Sequence, residues 1–139
     1  MIKKKRMSDI IETVSHALVN AKVEKLRKIG APEINLIQFQ YISVISQNQE
    51  LTFTGMAQTL KLSKPAVTSI IHKLIEQGYA CKKQSDCDRR VFHIYLTEAG
   101  KQVAEAYEDS RLEFVEDIHR ALTESEFNRL LELMEKVLH

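Results

Sequence analysis

Residues 51–78 read LTFTGMAQTLKLSKPAVTSIIHKLIEQG, and the spacing of polar and apolar side chains in this stretch decides the fold. Thr52 is placed to cap a short helix reaching to about Leu60, because its hydroxyl can accept from an N–H of the first turn that has no helical partner. Lys61-Leu62-Ser63 makes a turn. Ser63 caps a second helix, whose first turn tolerates Pro65 because an N–H there would be unpaired anyway. Gly78 is a fitting C-terminal stop. Within the second helix Val67, Ile70, Ile71 and Leu74 fall at i, i+3, i+4 and i+7, so they are expected to face the core. Lys64, Thr68, Ser69, His72 and Lys73 then share the opposite face. They are short hydrogen-bonding side chains and cations, with one acid, Glu76, at the far end.

Two β-prone runs follow, Tyr79–Lys83 and Val91–Leu96, around the polar stretch Gln84–Arg90, which reads as a hairpin with a long charged tip. Two short helices joined by a three-residue turn and followed by a hairpin form a winged helix-turn-helix, an arrangement that places its second helix in a DNA major groove. The flanks are helical. Ser8 and Asp9 suit the start of an N-terminal helix, and Ile10, Ile11, Val14, Ala17, Leu18 and Ala21 mark one apolar face. Gly30-Ala31-Pro32 breaks it. A helix over about Ile34–Ser46 offers Leu36, Ile37, Tyr41, Val44 and Ile45 to the core. Beyond the hairpin, Thr97-Glu98 opens a helix running through Tyr107 and Leu112 towards Ile118 and Leu122. Thr123-x-x-Glu126 is a capping box for a last helix striped by Phe127, Leu130, Leu131, Met134, Val137 and Leu138.

The expected fold class is therefore mainly α with a small β-hairpin wing (α+β). The expected organisation is an N-terminal dimerisation helix over residues 1–32, the winged helix-turn-helix over 33–100, and C-terminal dimerisation helices over 101–139. The terminal apolar faces flank a middle part able to close its own core, and a second copy of the chain is their simplest cover.

Composition agrees with this reading. In 139 residues, 44% hydrophobic and 28% charged, the chain has enough apolar content for a core, and 4 Gly and 2 Pro favour long helices over tight turns. Residues 61–93 hold seven Lys/Arg against three acids, whereas residues 97–139 hold five against eleven. A basic centre joined to an acidic tail suits a protein that meets phosphate with one face only. No apolar run approaches the ~20 residues that span a membrane. The basic start has no apolar stretch behind it, so no signal peptide is expected and a cytoplasmic location is.

The chain resembles the MarR regulators. The resemblance is carried by Leu51-Thr52, Ala57, Leu60-x-Leu62-Ser63, Val67-Thr68, Leu74-Ile75-Glu76-Gln77-Gly78-Tyr79, the tip Asp86-x-Asp88-Arg89-Arg90, and Leu96-Thr97-Glu98-Ala99-Gly100. Order and spacing match from about residue 33 to 101; the helical arms match in architecture alone. The resemblance implies a homodimer with interleaved terminal helices that binds double-stranded DNA; no cofactor is expected. It implies that Ser63 and Lys64 contact phosphates, that Pro65, Ala66, Thr68, Ser69 and His72 approach bases, and that Lys73 lies on the same DNA-facing side. At the wing tip it implies an arginine, Arg90 or Arg89, entering the minor groove and held by Asp88. Lys61 departs from the glycine often found in the turn. Lys3-Lys4-Lys5-Arg6 is expected to be a mobile, solvated tail, phosphate contact being the alternative.

Family resemblance also implies control by a small-molecule effector, by thiol oxidation or by metal. Cys81 and Cys87 are the possible redox residues, since both lie in the wing beside Arg89 and Arg90 and have cationic neighbours that favour thiolate. Incidental thiols are the commoner reading, and the N-terminal cysteine of redox-sensing relatives is missing here. Cys81, Cys87 and His93 fit no compact zinc spacing. His16 and His119 are expected at surface or packing positions. No Gly-rich phosphate loop, nucleophile elbow or paired metal-binding histidines point to an enzyme. The remaining alternative, a winged-helix adaptor binding protein, would carry a neutral or apolar helix face and a wing without basic residues.

Overall fold

Side-chain caps set most of the element boundaries. The structure, a computed structural model, describes residues 1–139 as α1 (Ile2–Lys28), α2 (Leu36–Gln47), β1 (Leu51–Thr52), α3 (Phe53–Leu60), α4 (Lys64–Glu76), β2 (Ala80–Gln84), β3 (Phe92–Leu96), α5 (Glu98–Ala121) and α6 (Glu124–Leu138). Thr52, Ser63, Thr97 and Thr123 cap α3, α4, α5 and α6, and Thr123 with Glu126 makes the reciprocal capping box read from the sequence.

Two boundaries differ from the sequence reading. Helix α1 begins at Ile2, so Ser8 lies inside it and caps nothing. No breaker precedes Ser8, and Lys3–Arg6 and Met7 are good helix formers, so the helix propagates to its first turn. The Lys3–Arg6 run is thus an exposed helical turn and not a loose tail. Helix α2 is capped by Asn35, whose side chain accepts from Gln38 N at 2.8 Å while Gln38 returns the bond. In α2 Ile37 faces solvent, and Phe39 and Ile42 are the side chains with no exposure. This helix buries Gln38, Phe39, Tyr41, Ile42, Ser43 and Ile45, most of its circumference. It therefore lacks the one-sided stripe by which sequence periodicity assigns faces.

The hairpin gains a third strand. β1 pairs antiparallel with β3, Leu51 opposite Ile94 and Thr52 opposite His93, giving the order β1-β3-β2. Phe39, Ile42, Met56, Val67, Ile71, Leu74, Ile94 and Val103 form the fully buried centre of the core. Helices α2, α3, α4 and α5 and the sheet all contribute to it. Tyr107 of α5 meets Phe39 edge to face, centroids 4.8 Å apart. Helix α1 lies along α5, where Lys25 Nζ reaches Glu113 Oε1 at 2.6 Å and Lys22 Nζ stands 5.0 Å from the Tyr107 ring centroid. Of α1 only Leu26 is buried, and α6 buries nothing.

Three elements meet at Thr97. Its hydroxyl caps α5 by accepting from Gly100 N at 3.1 Å and donates to Gly78 O at 2.6 Å, while its own N–H donates to Tyr79 O at 3.1 Å. The end of α4, the start of the wing and the start of α5 are thereby joined. The contact is close enough that a Cβ on Gly100 would stand 2.0 Å from the Tyr79 carbonyl oxygen, a backbone atom that cannot swing aside. That steric limit is the physical reason for glycine at the end of the Leu96-Thr97-x-x-Gly100 pattern. Gly100→Ala is accordingly expected to destabilise the chain by about 1–3 kcal/mol or more through forced backbone displacement, read as a lowered midpoint in urea unfolding.

Candidate nucleic-acid interface

The polar face of α4 is set by what its other face buries. Val67, Ile71 and Leu74 have no exposure and Ile70 is half-buried, so Lys64, Pro65, Ser69, His72 and Lys73 emerge at the surface, with Ala66 and Thr68 at its margin. Ser63 Oγ accepts from Ala66 N at 3.3 Å, and Pro65 occupies the first turn, where its missing donor costs no helical bond. The turn from α3 is closed by Lys61 in the left-handed region, φ 54°, and by Leu62 N donating to Ala57 O at 3.0 Å. Lysine there carries a modest strain that glycine would avoid.

The far end of α4 is fastened to the first turn of α2 and to the segment before it. Gln38, almost wholly buried, donates from Nε2 to Gln77 Oε1 at 3.2 Å. The Tyr79 hydroxyl donates to the Glu33 carboxylate, and its pKa is pushed up to about 12 by burial first and by that carboxylate second. The helix is therefore held at its N-terminal turn by capping and at its C-terminal end by tertiary hydrogen bonds.

In the wing, Ser85 Oγ accepts from Cys87 N and Asp88 N, at 3.2 and 3.4 Å, Ser85 N donates to Val91 O at 2.8 Å, and Gln84 Nε2 donates to Arg89 O at 2.7 Å. This folded tip presents Asp88 to Arg90. Nε reaches Oδ1 and Nη2 reaches Oδ2, both at 3.2 Å, and Arg90 N donates to Oδ1 at 3.1 Å. A two-pronged guanidinium–carboxylate pair fixes direction as well as distance. The Arg90 guanidinium, and after it the Arg90 backbone N–H, hold the Asp88 carboxyl below the usual aspartate range. Of the two arginines left open by the sequence, Arg90 is the one Asp88 orients; its side chain is nevertheless 90% exposed. Arg89 is exposed beside it.

Between α4 and the wing lies a cleft of ≈ 340 Å³ lined by Thr52, Phe53, Thr54, Lys64, Thr68 and His72 on the helix side and by Lys82, Arg90, Val91 and Phe92 on the wing side. It brings Lys64, Thr68, His72 and Arg90 together. Ser63, Pro65, Ala66, Ser69, Lys73, Asp88 and Arg89 lie outside its lining. Thr54, Lys82 and Phe92 were not singled out from the sequence, although strand alternation separates Lys82 from Lys83. Cys81 is paired with Tyr95 and Lys83 with His93 on the sheet face turned away from the cleft, and Cys87 is exposed in the tip. The structure gathers no three His, Cys, Asp or Glu side chains into a metal-holding group.

Residues 33–91 match the model of the MarR family. The chain is 28% identical over 131 residues to the transcriptional regulator AdcR of Streptococcus pyogenes, covering 92% of this chain and 81% of that protein. It is 23% identical over 124 residues to the HTH-type transcriptional repressor IacR of Pseudomonas putida, covering 89% and 73%. The fold is that of FabT of Streptococcus pneumoniae solved in complex with DNA, with TM-score 0.85, 23% identity and coverage of 97% and 94%. The S. aureus MepR–DNA complex superposes with TM-score 0.70 at 22% identity, covering 94% and 95%.

The lowered Asp88 pKa has a definite sign. The pair with Arg90 contributes at any pH above the ordinary aspartate value and is lost only as pH falls through the lowered one. A carboxyl-carbon NMR titration of Asp88 is expected to show a midpoint below the ordinary ~3.9. A midpoint at or above that value would mean that Arg90 does not hold the carboxylate in solution.

Proposed function

We propose, from the match of residues 33–91 to the MarR family model, that the chain is a DNA-binding transcriptional regulator of that family and acts as a homodimeric, sequence-specific repressor on a pseudo-palindromic operator. The observation that carries the reading is the Asp88-oriented Arg90 standing across a cationic cleft from the polar face of α4. A helix in the major groove and a fixed arginine in the adjoining minor groove read one half-site. Ser63 and Lys64 contact phosphates; Pro65, Ala66, Thr68, Ser69, His72 and Lys73 face the groove; Arg90 enters the minor groove, with Arg89 beside it. The protein is a binder and not an enzyme, and it works in the cytoplasm. No helix of the structure is long and apolar enough to cross a membrane.

Residues 1–32 and 101–139 supply the dimer and residues 33–100 the reading unit. Support for the dimer comes from apolar side chains left about half exposed in one protomer, among them Ile10, Ile11 and Leu112 and, on α6, Leu131 and Met134. Two protomers then set the distance between two recognition helices. A small-molecule effector bound against the arms changes that distance and releases DNA; the MepR neighbour has been solved bound to ethidium bromide. Oxidation of Cys87 or Cys81 is the other route, with Cys87 the nearer in sequence to the Asp88–Arg90 pair. Repression follows from occupying a promoter, and IacR is itself named a repressor.

Selection of bound duplexes from a random library is expected to return a two-fold symmetric site. Recovery of no sequence by a chain shown to be dimeric would favour a protein-binding adaptor instead. On the recovered site, Lys64→Ala is expected to weaken selected and scrambled duplexes by a similar factor, whereas Arg90→Ala costs about 1–3 kcal/mol more on the selected one. Parental affinity in both variants would refute the residue assignment. Because α6 buries nothing within the protomer, Leu131→Glu with Met134→Glu leaves the protomer core intact and is expected to yield a monomer in sedimentation analysis.

A further inference from the structure

Lys82 and Lys83 are neighbours in sequence and opposites in space. In the antiparallel register Lys82 stands across from Ile94 and Lys83 across from His93. Cross-strand partners share a face, and successive residues alternate. Ile94 is a core residue, so Lys82 lies on the inner face of the sheet, where it lines the cleft together with Lys64 and Arg90. Its Nζ stands 5.1 Å from the ring centroid of Phe92, which lines the same cleft, and this contact restricts a side chain otherwise rich in rotamers. Thr54 and Thr68 add hydroxyls on the opposite wall. Three cations converge on a cleft that no carboxylate lines.

The geometry points to an occupant, and this step rests on the DNA reading above. In a duplex, a major groove and the adjoining minor groove are separated by one sugar–phosphate strand. A protein with α4 in the first and Arg90 in the second must pass that strand between helix and wing, across the mouth of this cleft. We infer that the cleft is the seat of the inter-groove DNA strand, and that Lys82, positioned by Phe92, is a phosphate-contacting residue there, with Lys83 on the outer face having no such role. The contact is blind to sequence, because it meets the backbone and no base edge. It sets how deeply the half-site is gripped and leaves the choice of site to α4 and Arg90.

The test compares Lys82→Gln, Lys83→Gln and the parent on a duplex carrying the selected site and on a scrambled duplex, by fluorescence anisotropy across a fourfold range of salt. Both lysines are exposed, and unchanged circular dichroism and melting verify that each variant folds. A homodimer on a symmetric site loses two phosphate contacts, one per protomer, which lowers the slope of log affinity against log salt by about 1.8, so Lys82→Gln is expected to lose about 12-fold less affinity than the parent across that range. It should weaken both duplexes by a similar factor, and Lys83→Gln should keep the parental slope. A second readout separates direct contact from general field. Neutralising the inter-groove phosphates one at a time as methylphosphonates is expected to weaken the parent at one position and to leave Lys82→Gln unaffected there. Equal slopes in Lys82→Gln and parent, equal effects of the two lysines, or no position where the two losses overlap would overturn the seat while leaving the DNA reading intact. A parent that binds neither duplex would overturn both.

Discussion

Val67, Ile71 and Leu74 lose all contact with solvent against Phe39, Met56, Ile94 and their neighbours, and that burial fixes the rotation of α4 about its own axis. Turning the helix by one residue, ~100°, would bring cationic and hydroxyl side chains into the core and expose large aliphatic ones. Burial of an aliphatic side chain of this size stabilises by about 1.5–3 kcal/mol each, so the rotation is not negotiable at the energies of surface contacts. Everything presented outward by Lys64, Thr68, Ser69 and His72 follows from it. The hydrogen bonds at the far end, Gln38 to Gln77 and Tyr79 to Glu33, then fix where the helix points.

The wing solves a different problem. An exposed ion pair such as Asp88–Arg90 adds little to folding stability, because water and salt screen it. Its consequence is orientational. A long arginine free in water samples many rotamers, and any groove that receives it must restrict them. Here three hydrogen bonds to one carboxylate already do so, and the carboxylate is in turn placed by the folded tip in which Ser85 accepts from the Asp88 N–H. The same economy applies to Lys82 over Phe92. A basic surface whose side chains are partly ordered before binding loses less freedom on meeting phosphate than a loose cluster of equal charge.

The arms show the reverse condition, order without cover. Helix α1 runs for 27 residues, yet its first sixteen residues are all exposed. Helix α6 has a strongly one-sided sequence and no buried residue. Isolated helices draw little stability from propensity, so faces of this kind are completed by packing. The acidic balance of α5 and α6 stands against the basic helix-and-wing unit, so positive potential is concentrated on the side where the cleft opens.

Local chemistry was legible in the sequence wherever it repeats along a helix or ends one. Thr52, Ser63, Thr97 and Thr123 announced their helices because a cap needs one side chain and one nearby N–H. Val67, Ile71 and Leu74 announced the buried face by their spacing, and the wing tip was marked by Asp88 and Arg90. Ser8 reads as the start of α1 and lies inside it, since a good cap residue is also tolerated within a helix when nothing upstream stops it. A helix buried on most sides shows no period, so the sequence points Ile37 inward and gives no sign of the burial of Phe39 and Ile42. Two-residue β1 has no pattern of its own and exists only through pairing with β3. The pairing of Asp88 with Arg90 and not Arg89, the steric demand at Gly100, and the separation of Lys82 from Lys83 were decided by tertiary structure. Each depends on which backbone passes close by or which face of a strand is covered, and those are distances between residues that the order of the chain does not contain.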